Sequence, residues 1–224
     1  MRPPYYIVII VIGLGVFLSN CNSKKFEIPQ EQVTATLMNY AKQYDIKERV
    51  VLQTSEGDIT LKLYIETSLH RANFLHLCKN QYYNHGLFYR IADGLLIQGG
   101  NQPDIPRLKY ELPQEIKPEF YHKRGAIAMA SDKPSKFSSA TEFYIVVGRK
   151  YTQIALDEFQ QELKKTFSKT QQEVYKTIGG DPRLDGNYTV FGEVETGMDV
   201  VDKIAAQKVY QTDKPVQKIT FKIK

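Results

Sequence analysis

The stretch from residue 87 to residue 101, LFYRIADGLLIQGGN, is apolar apart from a few side chains that could do chemistry. Arg90 lies in its middle, and Gln98 stands directly before Gly99 and Gly100. A buried guanidinium is costly unless a partner compensates its charge. From residue types alone two interpretations stay open: Arg90 forms a buried ion pair with a carboxylate, or it faces a groove and donates hydrogen bonds to a ligand.

Other kinds of chemistry leave no recognisable motif. Neither CxxC nor HExxH occurs, and the four histidines, at positions 70, 76, 85 and 122, are scattered. A P-loop, a GxGxxG segment after a strand and a GxSxG nucleophile motif are also missing from the sequence. We therefore predict no metal and no other cofactor.

The composition predicts one globular domain with additions at its N-terminus. The chain has 224 residues, of which 42% are hydrophobic, enough for a substantial core. Its formal net charge of +5 is spread over many lysines instead of forming one basic stripe. That distribution is typical of a solvated surface, so we predict no nucleic-acid partner.

The N-terminus predicts export and a lipid anchor. Arg2 precedes an apolar run from Tyr5 to Leu18 that is short for a bilayer span and fits a signal peptide over residues 1–20. The tetrad that ends at Cys21, LSNC, resembles a bacterial lipobox, in which this cysteine is lipidated. The alternative is an uncleaved anchor helix. The other cysteine, Cys78, lies among apolar residues and is predicted to be a core side chain.

Short alternating segments predict a mainly β domain over residues 49–224, after a tether and a helix within 21–48. Residues 50–52 and 59–63 flank a turn and predict a β-hairpin. Further strands are predicted over residues 87–91, 95–99, 126–130, 143–147, 188–194 and 218–223, and helices over 68–80 and 198–206. About eight short strands with two helices indicate a closed barrel with a helix over each end.

A helical hairpin is predicted as an insertion over residues 152–180. Leu156, Phe159, Leu163 and Phe167 form one apolar stripe, and Ser168 with Gln171 has the spacing of a capping box. Two interpretations stay open for this hairpin. It either decorates the surface, or forms a wall that extends a binding groove.

Four blocks of sequence together resemble the cyclophilin-type peptidyl-prolyl cis–trans isomerases. They are SEGDITLKLY with HRANFLHL, LFYRIADGLLIQGGN, KRGAIAMA with SSATEFYIVVG, and LDGNYTVFGEVETGMDVVDKI. The resemblance covers residues 49–224 and implies a closed eight-stranded antiparallel barrel with two capping helices. The lipid signal and the inserted hairpin resemble cyclophilin lipoproteins of Bacteroidetes-type bacteria, which implies a lipid-anchored protein that faces the periplasm.

The resemblance also implies an enzyme that acts on proline-containing unfolded or extended polypeptides. Rotation about an X-Pro bond must overcome a barrier of about 20 kcal/mol, because twisting destroys amide resonance. The family's catalytic arginine corresponds to Arg90, which would donate to the twisted amide. Gln98 corresponds to a glutamine that orients the substrate and the arginine.

The remaining site residues follow from the same resemblance. The apolar proline pocket would consist of Leu96, Tyr144 and Leu184 with Leu95 beside them, and Tyr188 would lie at its rim. Ala130 and Ser131 would hold the peptide in extended form through their backbones.

Glu142 replaces the family's usual glutamine and could pair with Arg90 in the empty site. That departure keeps two alternatives open: a catalytically weak peptide-binding chaperone, and a structural lipoprotein.

Overall fold

The structure of the chain is a computed structural model. It describes residues 25–45, 49–100, 107–131 and 136–223. The expected signal peptide, residues 1–20, and the expected lipidation site, Cys21, lie outside these residues. Within the described ranges, no helix is long and apolar enough to cross a membrane.

Eight antiparallel strands close into a barrel, as the sequence predicts. Numbered along the chain, the strands are β1 (Arg49–Thr54), β2 (Gly57–Leu63), β3 (Gly86–Ala92), β4 (Leu96–Gly99), β5 (Glu111–Pro113), β6 (Ala126–Met129), β7 (Phe137–Ser139), β8 (Phe143–Val146), β9 (Val190–Thr196) and β10 (Ile219–Ile223). The order around the barrel is β1-β10-β3-β4-β8-β6-β9-β2. The other two strands, β5 and β7, form a small separate sheet that the sequence analysis did not predict.

The barrel is filled by aromatic side chains. Phe88, Phe143 and Phe191 are each at most 2% exposed and belong to the barrel core. Phe74 lies among them, with ring centroids 5.4 Å from Phe143 and 5.3 Å from Phe191. Aromatic rings at these separations add to the stability that burial provides. Because the interior is filled, a binding site must lie on the outer face of the barrel.

Five α-helices accompany the described strands: α1 (Val33–Ala41), α2 (Ser68–Lys79), α3 (Gln153–Leu163), α4 (Lys169–Thr177) and α5 (Met198–Ala205). The two capping helices are α2 and α5, and both bury apolar side chains in the barrel's core cluster. Cys78, near the end of α2, is 7% exposed and belongs to that cluster, as predicted.

The insertion between β8 and β9 is a helical hairpin, as predicted. Ser168 and Gln171 form the expected capping box at the start of α4. The predicted stripe is wrong at its end, because Lys164 adopts a left-handed φ of 51° that terminates α3 before Phe167. Phe167 instead packs with Leu156 of α3 and Tyr175 of α4 in a buried cluster between the two helices and the barrel.

Candidate functional site

Arg90, Gln98 and Tyr144 form a row across three neighbouring strands. Gln98 on β4 is directly opposite Arg90 on β3 and directly opposite Tyr144 on β8. Side chains of directly opposed residues project to the same face of a sheet. A register irregularity between Phe88 and Arg90 turns the strand so that Phe88 fills the core while Arg90 lies on the outer face. A charged donor, an amide and the ring of Tyr144 are thereby aligned.

The Gln98 side chain is fixed by both of its neighbours on β3. Arg90 Nη1 lies 3.5 Å from Gln98 Oε1. The amide nitrogen of Gln98 donates to the Tyr89 hydroxyl at 2.8 Å. Burial, followed by the charge of Glu142, raises the pKa of Tyr89, so this phenol keeps its proton. Gln98 is therefore oriented with its oxygen toward the guanidinium.

Arg90 forms an ion pair that the sequence analysis did not identify. Its Nε and Nη2 donate to Asp213 Oδ2 at 3.2 and 3.1 Å. The two side chains are 43% and 39% exposed, so the pair lies at the surface. The first interpretation of Arg90 thus holds in part: it has a carboxylate partner, but the pair is not buried and the guanidinium stays accessible at the surface.

The pairing of Asp213 with Arg90 could not be predicted from local sequence, because the two residues are 123 positions apart. It adopts a left-handed φ of 62° within a tight turn. Its carbonyl oxygen accepts from the backbone N–H of Ile91 at 2.8 Å, which ties that turn to β3. The turn therefore delivers the carboxylate to the guanidinium by a contact that only the tertiary structure creates.

An apolar cluster on the outer face of the barrel contains six of the expected substrate-binding residues. They are Leu95, Leu96, Ala130, Tyr144, Leu184 and Tyr188. Leu96 and Tyr144 are 7% and 3% exposed and form its base, whereas Leu95, Leu184 and Tyr188 are half-buried around them. The ring of Tyr188 meets that of Tyr144 edge-on, with centroids 5.9 Å apart. The structure therefore places these six residues together beside Gln98.

A buried hydrogen bond lies beneath the base of the cluster. The Tyr144 hydroxyl lies 3.0 Å from His122 Nε2, and His122 is fully buried. Burial raises the pKa of Tyr144, so its hydroxyl keeps its proton. In the sequence, His122 is one of four scattered histidines, and only the fold brings it under the Tyr144 ring.

Glu142 does not pair with Arg90, so that hypothesis is wrong. Its carboxylate accepts from Arg107 Nη2 at 2.8 Å, and its side chain is 9% exposed. The charge of Glu142 also helps, after burial, to raise the pKa of Tyr89. Arg107 thus compensates the charge of Glu142, and Arg90 pairs with Asp213 instead.

The backbone N–H and C=O of Ala130 both form hydrogen bonds within the chain, and its expected backbone contact with a peptide stays a prediction. Its N–H donates to the carbonyl of Glu142 at 2.8 Å, and its C=O accepts from the Ser139 N–H at 2.7 Å. Because its N–H is already used within the chain, Ala130 contributes its methyl group to the apolar cluster. Ser131 follows it, half-buried, at the start of a gap in the described residues, and its backbone role stays a prediction.

In the part of the chain that the structure describes, no group of three or more His, Cys, Asp or Glu side chains could hold a metal ion. The row of Arg90, Gln98 and Tyr144 contains no nucleophile of the usual kind. The arrangement can bind an apolar ring and donate hydrogen bonds beside it.

Comparison with known proteins agrees with this geometry. The sequence profile of the family described as "Cyclophilin type peptidyl-prolyl cis-trans isomerase/CLD" matches residues 49–223. The peptidyl-prolyl cis-trans isomerase cypE of Dictyostelium discoideum is 31% identical over 182 residues, which cover 77% of this chain and 94% of that protein. A Streptococcus pyogenes protein named as a bifunctional phosphatase/peptidyl-prolyl cis-trans isomerase is 32% identical, but this chain spans only 37% of its length.

A solved structure gives the same fold. The Cryptosporidium parvum cyclophilin type peptidyl-prolyl cis-trans isomerase, crystallised in the presence of the dipeptide Ala-Pro, superposes with a TM-score of 0.59 at 23% identity. The match covers 79% of this chain and 97% of that one. With a family profile that spans nearly the whole described barrel, this chain belongs to the cyclophilin-type peptidyl-prolyl cis–trans isomerases.

Proposed function

We propose that this chain isomerises X-Pro bonds in extended or unfolded polypeptides, with Arg90 as the donor that stabilises the twisted amide. The observation that carries the proposal is the alignment of Arg90, Gln98 and Tyr144 across β3, β4 and β8. Neighbouring strands lie about 4.8 Å apart, so Arg90 and Tyr144 are separated by about two such spacings. The long arginine side chain together with the amide of a proline ring on Tyr144 can bridge that distance. The relative from Cryptosporidium parvum was crystallised with an Ala-Pro dipeptide, which supports this class of substrate.

The reaction requires rotation only, and no covalent bond to the protein forms or breaks. In the planar ground state, the lone pair of the prolyl nitrogen is delocalised into the carbonyl. In the twisted state that lone pair is localised, and a guanidinium N–H can donate to the nitrogen or to the neighbouring prolyl carbonyl. A donor whose interaction strengthens in the transition state lowers the barrier.

The contacts of Arg90 support this role because they hold the guanidinium in place in advance. Asp213 binds Nε and Nη2, while Nη1 lies beside the Gln98 amide oxygen. A donor that is already oriented does not have to reorganise when the amide twists. Gln98, held by Tyr89, would orient both the guanidinium and the bound peptide.

A second candidate function is a peptide-binding chaperone with little catalysis. The observation that favours it is the Asp213 carboxylate, which partly neutralises Arg90. Exchange NMR on an Ala-Pro peptide separates the two candidates. Cis–trans exchange that is faster than the uncatalysed rate supports the isomerase. Peptide binding without faster exchange supports the chaperone.

We propose that the isomerase domain is held at the bacterial cell envelope and acts on exported proteins. The signal-like segment before Cys21 supports this location. Several acyl chains anchor a protein firmly, whereas a single chain binds a membrane only marginally. Cys21→Ser should therefore abolish lipidation and leave an unprocessed or mislocalised precursor, as mass spectrometry of the N-terminus would show. Detection of intact residues 1–20 in the mature wild-type protein would contradict the proposal.

A further inference from the structure

The inserted hairpin is connected to the base of the proline pocket by a chain of buried hydrogen bonds. Tyr175 of α4 donates its hydroxyl to Asp185 Oδ2 at 2.6 Å. The other oxygen of that carboxylate, Oδ1, accepts from the backbone N–H of His122 at 2.8 Å and lies 2.9 Å from its Nδ1. On the far side of the imidazole, Nε2 lies 3.0 Å from the Tyr144 hydroxyl.

The chemistry of the groups sets the direction of each hydrogen bond. An ionised carboxylate only accepts, so His122 Nδ1 carries the proton that faces Asp185. The Tyr144 hydroxyl keeps its proton, so it donates to Nε2, which acts as the acceptor. Burial, followed by the charge of Asp185, raises the pKa of Tyr175, so this phenol also keeps its proton. Each donor in this series of hydrogen bonds therefore faces an acceptor.

The same insertion also holds the backbone of the pocket wall. Asp185 directly follows Leu184, and its carbonyl oxygen accepts a hydrogen bond from the ammonium group of Lys165, between α3 and α4. Tyr175 is itself fixed by its backbone carbonyl, which accepts from the Tyr151 N–H at 3.1 Å. The carboxylate of Asp185 and its backbone are therefore both anchored to the insertion.

We propose that Tyr175 is a positioning residue for the proline pocket, which sets the Tyr144 ring through Asp185 and His122 and holds the Leu184 wall in place. The role rests on the proposed function of that pocket. It differs from both earlier interpretations of the insertion, because the hairpin acts from beneath the pocket and need not touch the substrate. Tyr175 and His122 are fully buried, and Asp185 is 8% exposed. Water therefore does not readily reach these groups to substitute for a lost hydrogen bond.

The test compares Tyr175→Phe with Tyr151→Phe. Both variants remove one phenol oxygen from the same cluster and keep the ring, but among the described residues only the Tyr175 hydroxyl, and not that of Tyr151, is hydrogen-bonded to Asp185. Residues in one buried network are commonly coupled strongly, so we expect Tyr175→Phe to raise KM for an Ala-Pro peptide about three-fold or more. Its kcat should change less, and Tyr151→Phe should match the wild type.

A spectroscopic measurement separates this role from simple packing. With the Tyr175 donor removed, the Asp185 carboxylate becomes a stronger acceptor for His122, and the Nδ1–H proton signal should move downfield. Lys165→Ala is measured alongside, because it releases the Asp185 carbonyl without disturbing the buried network, and should raise KM in the same direction. An unchanged Nδ1–H signal and an unchanged KM in Tyr175→Phe would overturn the proposal.

The outcome can be distinguished from a failure of the proposed function. If the wild-type protein shows no isomerase activity, the proposed function fails, and the dissociation constant of the peptide replaces KM in the same comparison. Weaker peptide binding by Tyr175→Phe than by Tyr151→Phe then still supports the positioning role. Equal binding by the two variants overturns it.

Discussion

Asp213→Ala tests whether the ion pair with Asp213 positions Arg90 or suppresses it. The substitution removes the oxygen that accepts from both Nε and Nη2 of the guanidinium. If Asp213 positions Arg90, the freed side chain spreads over several rotamers and fewer of them point at the substrate. We therefore expect slower isomerisation, mainly through kcat.

The exposure of the pair limits the size of the effect. With side chains 43% and 39% exposed, an ion pair of this kind is worth about 0.2–1 kcal/mol. That range corresponds to a fall in kcat of about 1.4-fold to five-fold. Asp213→Asn should recover most of the activity, because its amide oxygen still accepts from the guanidinium and asparagine tolerates a left-handed φ.

The assay is exchange NMR or a protease-coupled measurement on an Ala-Pro peptide, with unfolding by urea in parallel. Aspartate tolerates the φ of 62° better than alanine does, so Asp213→Ala should also lower the free energy of unfolding, by at most about 1–2 kcal/mol. Gln81→Ala, at a φ of 64° and without a contact to Arg90, controls for that strain. An Asp213→Ala protein that is faster than the wild type would refute positioning. A loss of activity as large as that of Arg90→Ala would mean that Asp213 takes part in catalysis directly.

Two further predictions concern Glu142, which directly precedes Phe143 of β8, and Glu115, whose carboxylate lies at the start of α2. Glu142→Gln should change kcat/KM by less than about two-fold, because Gln still accepts from Arg107 and Arg90 has a different partner; a large loss would mean that the carboxylate acts directly. Glu115→Gln should cost about 1–3 kcal/mol in urea unfolding at pH 7, because Glu115 accepts from two backbone N–H groups of α2 and from His70 Nδ1. Burial alone would raise the pKa of Glu115, but the hydrogen bonds from His70 lower it below 4.5, so this stability is present above that pH and lost as the pH falls through the folded-state pKa. A variant that keeps the acid sensitivity of the wild type would contradict this assignment.

The strands could be predicted because one face of most of them is buried in the barrel. On β2, Ile59, Leu61 and Leu63 are all buried and alternate with more exposed residues, which is the period that the sequence displays. The small sheet of β5 and β7 was missed because three residues per strand are too few to show a period. The capping box at Ser168 was predictable because its hydrogen bonds are local.

In the site, too, the residues with local contacts could be predicted and those with distant partners could not. Arg90, Leu95, Leu96 and Gln98 lie in one short motif, so their positions follow from two adjacent strands. The partners of the charged residues come from distant loops, and nothing in the local pattern of residues 210–214 indicates a carboxylate that reaches β3. Ion-pair partners are selected by the closed barrel, which is why the pairing of Glu142 with Arg90 was wrong.

The central claim is that the Arg90 guanidinium stabilises the twisted X-Pro amide. Arg90→Ala tests it most directly, with Arg90→Lys as a variant that keeps the charge but not the forked donor geometry. Loss of one transition-state donor costs about 2.7–4 kcal/mol, so we expect kcat/KM for an Ala-Pro peptide to fall by about 100-fold to 1000-fold. Stability should fall by no more than about 1 kcal/mol, since only an exposed ion pair is lost. Full activity of a folded Arg90→Ala protein would contradict the mechanism.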